Sequence, residues 1–184
     1  MGGLIAQQMA LTRPTRIASL ALLCSFAHGR QGSRPSLGML PTAIRTRIGT
    51  RRMRRDAFLE LVMPRDSLQK ANRAQLAERL RPLFGHDLAD QPPVVMKQLR
   101  AMSRYDARDR LHQLGAIPTL VISADQDRIA RPVFGRELAK AIPGAVYVEI
   151  ANAGHGVTIQ RADEVNELMA AHLCRAESLR AEIV

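Results

Sequence analysis

This sequence has no tryptophan, two tyrosines, four phenylalanines and two cysteines among its 184 residues. Each scarcity excludes something. Two cysteines, Cys24 and Cys174, cannot build a disulfide framework or a cysteine-based zinc site. Both lie in apolar surroundings and are expected to be buried thiols. Aromatics at 3% leave too few stacking platforms for a dedicated single-strand nucleic-acid binder. No apolar run approaches the roughly 20 residues that cross a bilayer, so no membrane span is expected. No charged segment follows Met1, so no signal peptide is expected and the chain reads as a cytoplasmic protein.

Acid is also missing, but only from one end. Residues 1–55 hold ten arginines and neither Asp nor Glu, which accounts for the whole net charge of +10. Its dense part is Arg45, Arg47, Arg51, Arg52, Arg54 and Arg55. Such a cluster can hold an anionic surface or nucleic acid, and a non-catalytic binding protein using this Arg-rich face is the alternative reading. A solvated basic face is the simpler expectation, and nucleic acid is disfavoured. What the chain does have is 46% apolar residues, enough for one core at this length.

Three short apolar runs, about 16–24, 117–123 and 145–150, read as strands, the first two continuous enough to be buried on both faces. Helical patterns lie between and around them. Gly3–Leu11 ends before Pro14, residues 134–141 stop at Pro143-Gly144, and residues 162–180 carry Val165, Leu168, Met169, Leu173 and Leu179 on one stripe. This alternation predicts an α/β fold with a parallel sheet. Residues 30–108 break the rhythm. Gly29–Pro41 reads as a loop, and helices are expected over 42–63, 66–81 and 92–103. A helical insertion between parallel strands is expected to be a lid over a site at the strand ends, where open α/β sheets bind ligands. The domain reading is therefore a core of 1–29 and 109–184 with a lid of 30–108.

Two motifs follow strands directly. Ser123-Ala124-Asp125-Gln126-Asp127-Arg128-Ile129 follows the second, and Asn152-Ala153-Gly154-His155-Gly156-Val157 follows the third. An acid and a histidine after neighbouring parallel strands reach the same sheet edge, where the acid can orient an imidazole general base. Gly154 and Gly156 suit a sharp turn that projects the ring.

With these motifs the sequence resembles the α/β-hydrolase fold family, across nearly the whole chain, as a partial, C-terminal portion of that fold with three parallel strands. Pro118–Ile129 looks like the family's acid-bearing strand and loop. Asn152–Val157 looks like its Gly-His loop, and Tyr105–Leu111 like the segment returning from the lid. The resemblance implies a small-molecule substrate, no metal, no organic cofactor, and hydrolysis of an ester, lactone or related acyl bond. Similar sequences also include carbon–carbon bond hydrolases, cofactor-free haloperoxidases, and dehalogenases that use an Asp nucleophile. Family spacing makes Asp127 the orienting acid, with Asp125 the alternative, and His155 the base.

The family's nucleophile elbow reads Gly-x-Ser-x-Gly, often Gly-x-Ser-Met-Gly-Gly, and this chain opens Met1-Gly2-Gly3. The resemblance puts the serine one residue before Met1 and gives the backbone N–H of Met1 the oxyanion-hole role, which a chain starting there would lose. Ser25 and Ser33 stand in no such motif. The 184-residue chain is accordingly expected to be inactive and to self-associate through an exposed sheet edge. Met39, Leu40, Met53, Phe58 and Met63 are candidate apolar pocket liners.

Overall fold

The computed structural model describes residues 1–33 and 36–181, with the side chain of Arg180 left aside. Residues 34–35 of the expected lid and 182–184 at the end of the expected core lie outside the described residues. The elements are α1 (Gly2–Thr12), β1 (Leu20–Leu23), α2 (Gly29–Ser33), α3 (Leu40–Arg45), α4 (Arg51–Val62), α5 (Arg65–Gln69), α6 (Arg73–Phe84), α7 (Val94–Arg104), β2 (Thr119–Ala124), α8 (Pro132–Ala141), β3 (Val146–Ile150), α9 (Val157–Gln160) and α10 (Ala162–Ala181). Short 3₁₀ turns at Pro14–Arg16, Leu37–Met39 and Arg108–Leu114 join them.

The sheet has the order β1-β2-β3, all parallel, with Leu20 opposite Thr119 and Leu120 opposite Val146. All six residues of β2 are buried, as the apolar run required of a strand covered on both faces. Their alternation builds two cores. Leu120, Ile122 and Ala124 face Leu4, Val157 and Val165, while Val121 faces Leu22, Leu111 and Leu138. The first run is shorter than expected. Residues 14–16 form a 3₁₀ turn at Pro14, and pairing with β2 begins only at Leu20.

The helical insertion departs from expectation in three places. Residues 42–63 are two helices, because Gly49 at φ +108 and the Thr50 cap, whose hydroxyl accepts from Met53 N–H, interrupt them. Residues 66–81 are likewise split, with Asn72 capping α6 through Gln75 N–H. The Gly29–Pro41 segment contains α2 and a 3₁₀ turn rather than only loop. The insertion's own core is small: Leu59, Leu68, Ala77, Leu80 and Leu88. Its two ends meet at a neck. Gly29 N–H donates to Tyr105 O and Ala107 N–H to Ala27 O, each about 3 Å. A Cβ at Gly29 would collide with the Met102 carbonyl, so only glycine lets the two strands of the neck close.

Two further expectations are corrected. In α10 the inward face runs through Val165, His172 and Ala176, while Leu173 and Leu179 are exposed, so the apolar stripe faces the core only in its first turns. Cys24 is buried, but Cys174 lies on the exposed side of that helix.

Candidate active site

Parallel strands end together, so the loops after β2 and β3 meet at one edge. Asp125 N–H donates to Ile150 O, and Gln126 N–H to Ala153 O. Asp125 Oδ1 accepts from Ala153 N–H at 3.1 Å. Asp125 thus staples the two loops and makes no bond to His155.

Asp127 is the acid that meets the histidine. Its Oδ2 lies 2.8 Å from His155 Nδ1, and its side chain is fully buried against a one-third exposed imidazole. Oδ1 accepts from Ile129 N–H at 2.7 Å and Ala130 N–H at 2.8 Å. Burial alone would push the Asp127 carboxyl up. The His155 hydrogen bond and charge, with the Ala130 and Ile129 N–H groups, outweigh it and hold the carboxyl below its ordinary value. The carboxylate is therefore ionised, fixed and aimed, leaving Nε2 as the free ring atom for proton transfer.

The glycines beside His155, where residues 155–156 form a turn, also answer to space. Neither has positive φ; Asn152, at φ +54, makes the left-handed step. Gly154 and Gly156 are needed for room, because the C-terminus of α4 lies against them. A Cβ on Gly154 would stand 2.8 Å from Val62 O. Gly156 N–H donates to Val62 O at 2.9 Å. Gln160 ties the same corner: its Oε1 accepts from Gly154 N–H, and its Nε2 donates to Val62 O at 3.0 Å. No sequence signal singled out Gln160, since its partners are backbone atoms, Gly154 N–H in the preceding loop and Val62 O on a distant helix.

Cys24 ends β1 at φ +45 with its Sγ close to this pair: the thiol, an Asp127 oxygen and a His155 nitrogen all lie within 4.8 Å of one another. These are ligand-type groups. A metal there would have to displace the Asp127–His155 bond and ionise a thiol that burial and the Asp127 charge push well up. The same protonation makes Cys24 a poor nucleophile.

His155 borders a cavity of about 280 Å³ whose other walls include Met1, Gly2, Gly3, Cys24 and Ser25. The N-terminal turn of α1 thus faces the imidazole. Gly3 is held against Ser25, where a Cβ would collide with the hydroxyl. Gln7, fully buried, donates to Phe26 O at 3.0 Å and secures the helix to the end of β1. Among the expected apolar liners, Met39 and Leu40 border a second, larger cavity. Phe58 and Met63 pack on the insertion core, and Met53 lies against Gly49.

The sequence profile of the alpha/beta hydrolase fold matches residues 1–162. The chain belongs to the α/β-hydrolase fold family. It is 26% identical over 165 residues to a pimeloyl-[acyl-carrier protein] methyl ester esterase of Neisseria meningitidis, covering 89% of this chain and 62% of that protein. The esterase of the same name from Stenotrophomonas maltophilia is 29% identical, with coverages of 90% and 63%. The enol-lactonase of Burkholderia xenovorans superposes with a TM-score of 0.70 at 29% identity, covering 95% of this chain and 63% of that one. The chain therefore spans about three fifths of these relatives, all hydrolases by name.

Of the arginine cluster, two members are tied to acids. Arg51 bonds Asp87 and Asp90, and Arg55 bonds Asp87. Arg45, Arg47 and Arg52 are exposed.

Proposed function

We propose that this chain carries the acid–base half of an acyl hydrolase acting on an ester, lactone or related bond of a small molecule. The observation behind the reading is the 2.8 Å Asp127–His155 contact beside a cavity walled by the first turn of α1. In the proposed cycle a serine attacks the acyl carbon while His155 Nε2 takes its proton. The tetrahedral oxyanion forms and collapses. His155 returns the proton to the leaving alcohol, then activates water to release the acid. Asp127 fixes the tautomer with Nε2 as acceptor and balances the imidazolium. The serine belongs to an elbow immediately before Met1, and the Met1 N–H contributes to the oxyanion hole. Residues 30–108 act as a lid. The names of the relatives, a methyl ester esterase and an enol-lactonase, support an ester or lactone.

The test compares 4-nitrophenyl acetate and butyrate turnover by the 184-residue chain with a version extended upstream through the elbow. Burst and turnover are expected only from the extended version. Comparable turnover by the short chain, lost on His155→Ala, would mean that the nucleophile lies elsewhere.

Self-association through the β1 edge is also proposed. β1 pairs on one side only among the described residues, and beside it α1 exposes Met1, Ile5 and Met9, each about half accessible. Sedimentation velocity over a hundredfold concentration range should show a growing larger species; a single monomer throughout would exclude it.

A further inference from the structure

Under the insertion lies a cavity of about 1190 Å³ with Met39, Leu61, Leu99 and Met102 in its wall. It shares Gly32, Met102 and Ile129 with the smaller cavity that holds His155, so the two adjoin. Six arginines also line it: Arg30, Arg47, Arg100, Arg104, Arg108 and Arg128. The acid in the wall is Asp106, and it is already held by Arg108 and by His28. Arg128 donates to the Glu60 carbonyl. Arg30, Arg47, Arg100 and Arg104 have no ion pair among the described residues.

Cations gathered around an apolar wall are a specific arrangement. A neutral acyl chain would use the wall and leave the guanidinium groups to water. A small inorganic anion would use the guanidinium groups and leave the wall empty. A ligand with an apolar stem and one anionic end satisfies both, because guanidinium binds carboxylate or phosphate in a two-pronged, charge-assisted way. Only Arg47 comes from the dense sequence cluster. The other five converge from α2, α7 and the loops at the neck and after β2, which separates this site from the general basicity of the chain.

We infer that this cavity binds the non-reacting part of the substrate, and that the substrate is an amphiphilic acyl ester bearing a carboxylate or phosphate on an apolar stem. The inference rests on the hydrolase reading only for what is cleaved; anion binding in the cavity stands or falls separately.

The test is titration calorimetry of the chain with three probes: monomethyl azelate, dimethyl azelate and octyl phosphate. The monoanionic ester is expected to bind at least about tenfold more tightly than the neutral diester, the scale of one charge-assisted contact. Octyl phosphate tells the two anions apart: binding tighter than monomethyl azelate assigns the site to phosphate, and weaker binding to carboxylate. The preference should shrink in 0.5 M sodium chloride. The Arg47→Gln, Arg100→Gln double variant should lose it while keeping the diester affinity. Arg79→Gln, which removes an exposed charge outside the cavity, should change nothing. Equal affinity for monoester and diester, binding of neither, or loss of the preference in Arg79→Gln to the same degree overturns the inference. Anion preference without ester turnover by the extended enzyme would instead remove the hydrolase reading and leave the site.

Discussion

Around β2, Leu120, Ile122 and Ala124 are sealed on one side and Val121 on the other, with strands bonded along both edges. Between α4 and α6, order rests on five buried side chains and on ion pairs: Arg55 and Arg51 with Asp87, and Arg73 with Glu60. The sheet region brings Asp127 and His155 together through its parallel ladder, and the side chains of Asp125 and Gln160 secure the loops through backbone N–H groups. The insertion fixes its helices through particular side chains. Where the two regions meet, the insertion lends backbone carbonyls to the site: Val62 O takes Gly156 N–H and Gln160, and Glu60 O takes Arg128. The comparison teaches that the Asp127–His155 pair proposed for the chemistry sits on the stiff region, while the second region lends it backbone contacts and shapes the cavity beside it.

The largest expected effect falls on the stiff region. In the extended enzyme, His155→Ala removes the proposed base and should abolish measurable ester turnover. Asp127→Asn keeps the shape but favours the wrong tautomer, and should lower kcat by about 10³-fold or more. Stopped-flow release of 4-nitrophenol reads both. An Asp125→Asn loss as large as that of Asp127→Asn would show that the wrong acid has been assigned.

Next come paired truncations in the two cores. Ile122 and Leu59 are both fully buried, and each Ala substitution should cost about 2–5 kcal/mol. The difference lies in where the loss appears. Ile122→Ala should lower the stability of the whole molecule, whereas Leu59→Ala should speed amide exchange in α4 and α6 and leave β2 nearly untouched. Uniform destabilisation by Leu59→Ala would show that the two regions unfold as one.

The seam between them gives a smaller effect. Gln160→Leu leaves Gly154 N–H without its acceptor and removes one donor from Val62 O, at a cost of about 1–3 kcal/mol. Its effect on catalysis should be about tenfold in kcat with little change in KM, because only the histidine loop is loosened. A change confined to KM would place Gln160 in substrate binding instead.

This contrast also explains what could be read from the sequence. β2 was legible because Leu120, Val121 and Ile122 form a compact apolar run flanked only by small Thr119, Ser123 and Ala124, and Asp127 and His155 were legible because they follow strands. The ends of strands converge by topology, so position along the chain predicts proximity. The insertion was legible only as helical. Its breaks depend on Gly49 and the Thr50 cap, single residues within an otherwise periodic stretch. Gln160, Val62 and the cavity arginines other than Arg47 were not legible at all. Their roles depend on how α4 and α7 dock on the sheet, and no local period encodes a docking angle. The same holds for Gly154, whose small size answers to a carbonyl some ninety residues away in sequence and not to its own φ.

The smallest expected effect separates two carboxylates that are depressed for different reasons. Asp127 is held low by His155 and backbone N–H groups despite its burial. Asp87 is held low chiefly by its Arg55 bond, then by Ala89 N–H and the Arg51 bond. Both folded values lie below the ordinary 3.8, so both contributions to stability are present above that value. Each is lost as pH falls through its folded value, and acid therefore weakens both regions. Salt does not treat them alike. Raising ionic strength from 0.1 to 1 M shortens the screening length from about 10 to about 3 Å, which reaches exposed pairs and leaves buried ones largely unaffected. The Arg51 side chain is 54% exposed and Asp127 is fully buried. Hydrogen exchange at pH 7 should therefore quicken in α4 and α6 on adding salt while that of the Asp127 loop holds constant. Arg51→Gln should abolish most of the salt response, because Arg51 is the exposed partner of Asp87 whereas Arg55 is more buried. Equal acceleration in both regions would mean that the insertion is not held by its ion pairs, and that its five-residue core is sufficient.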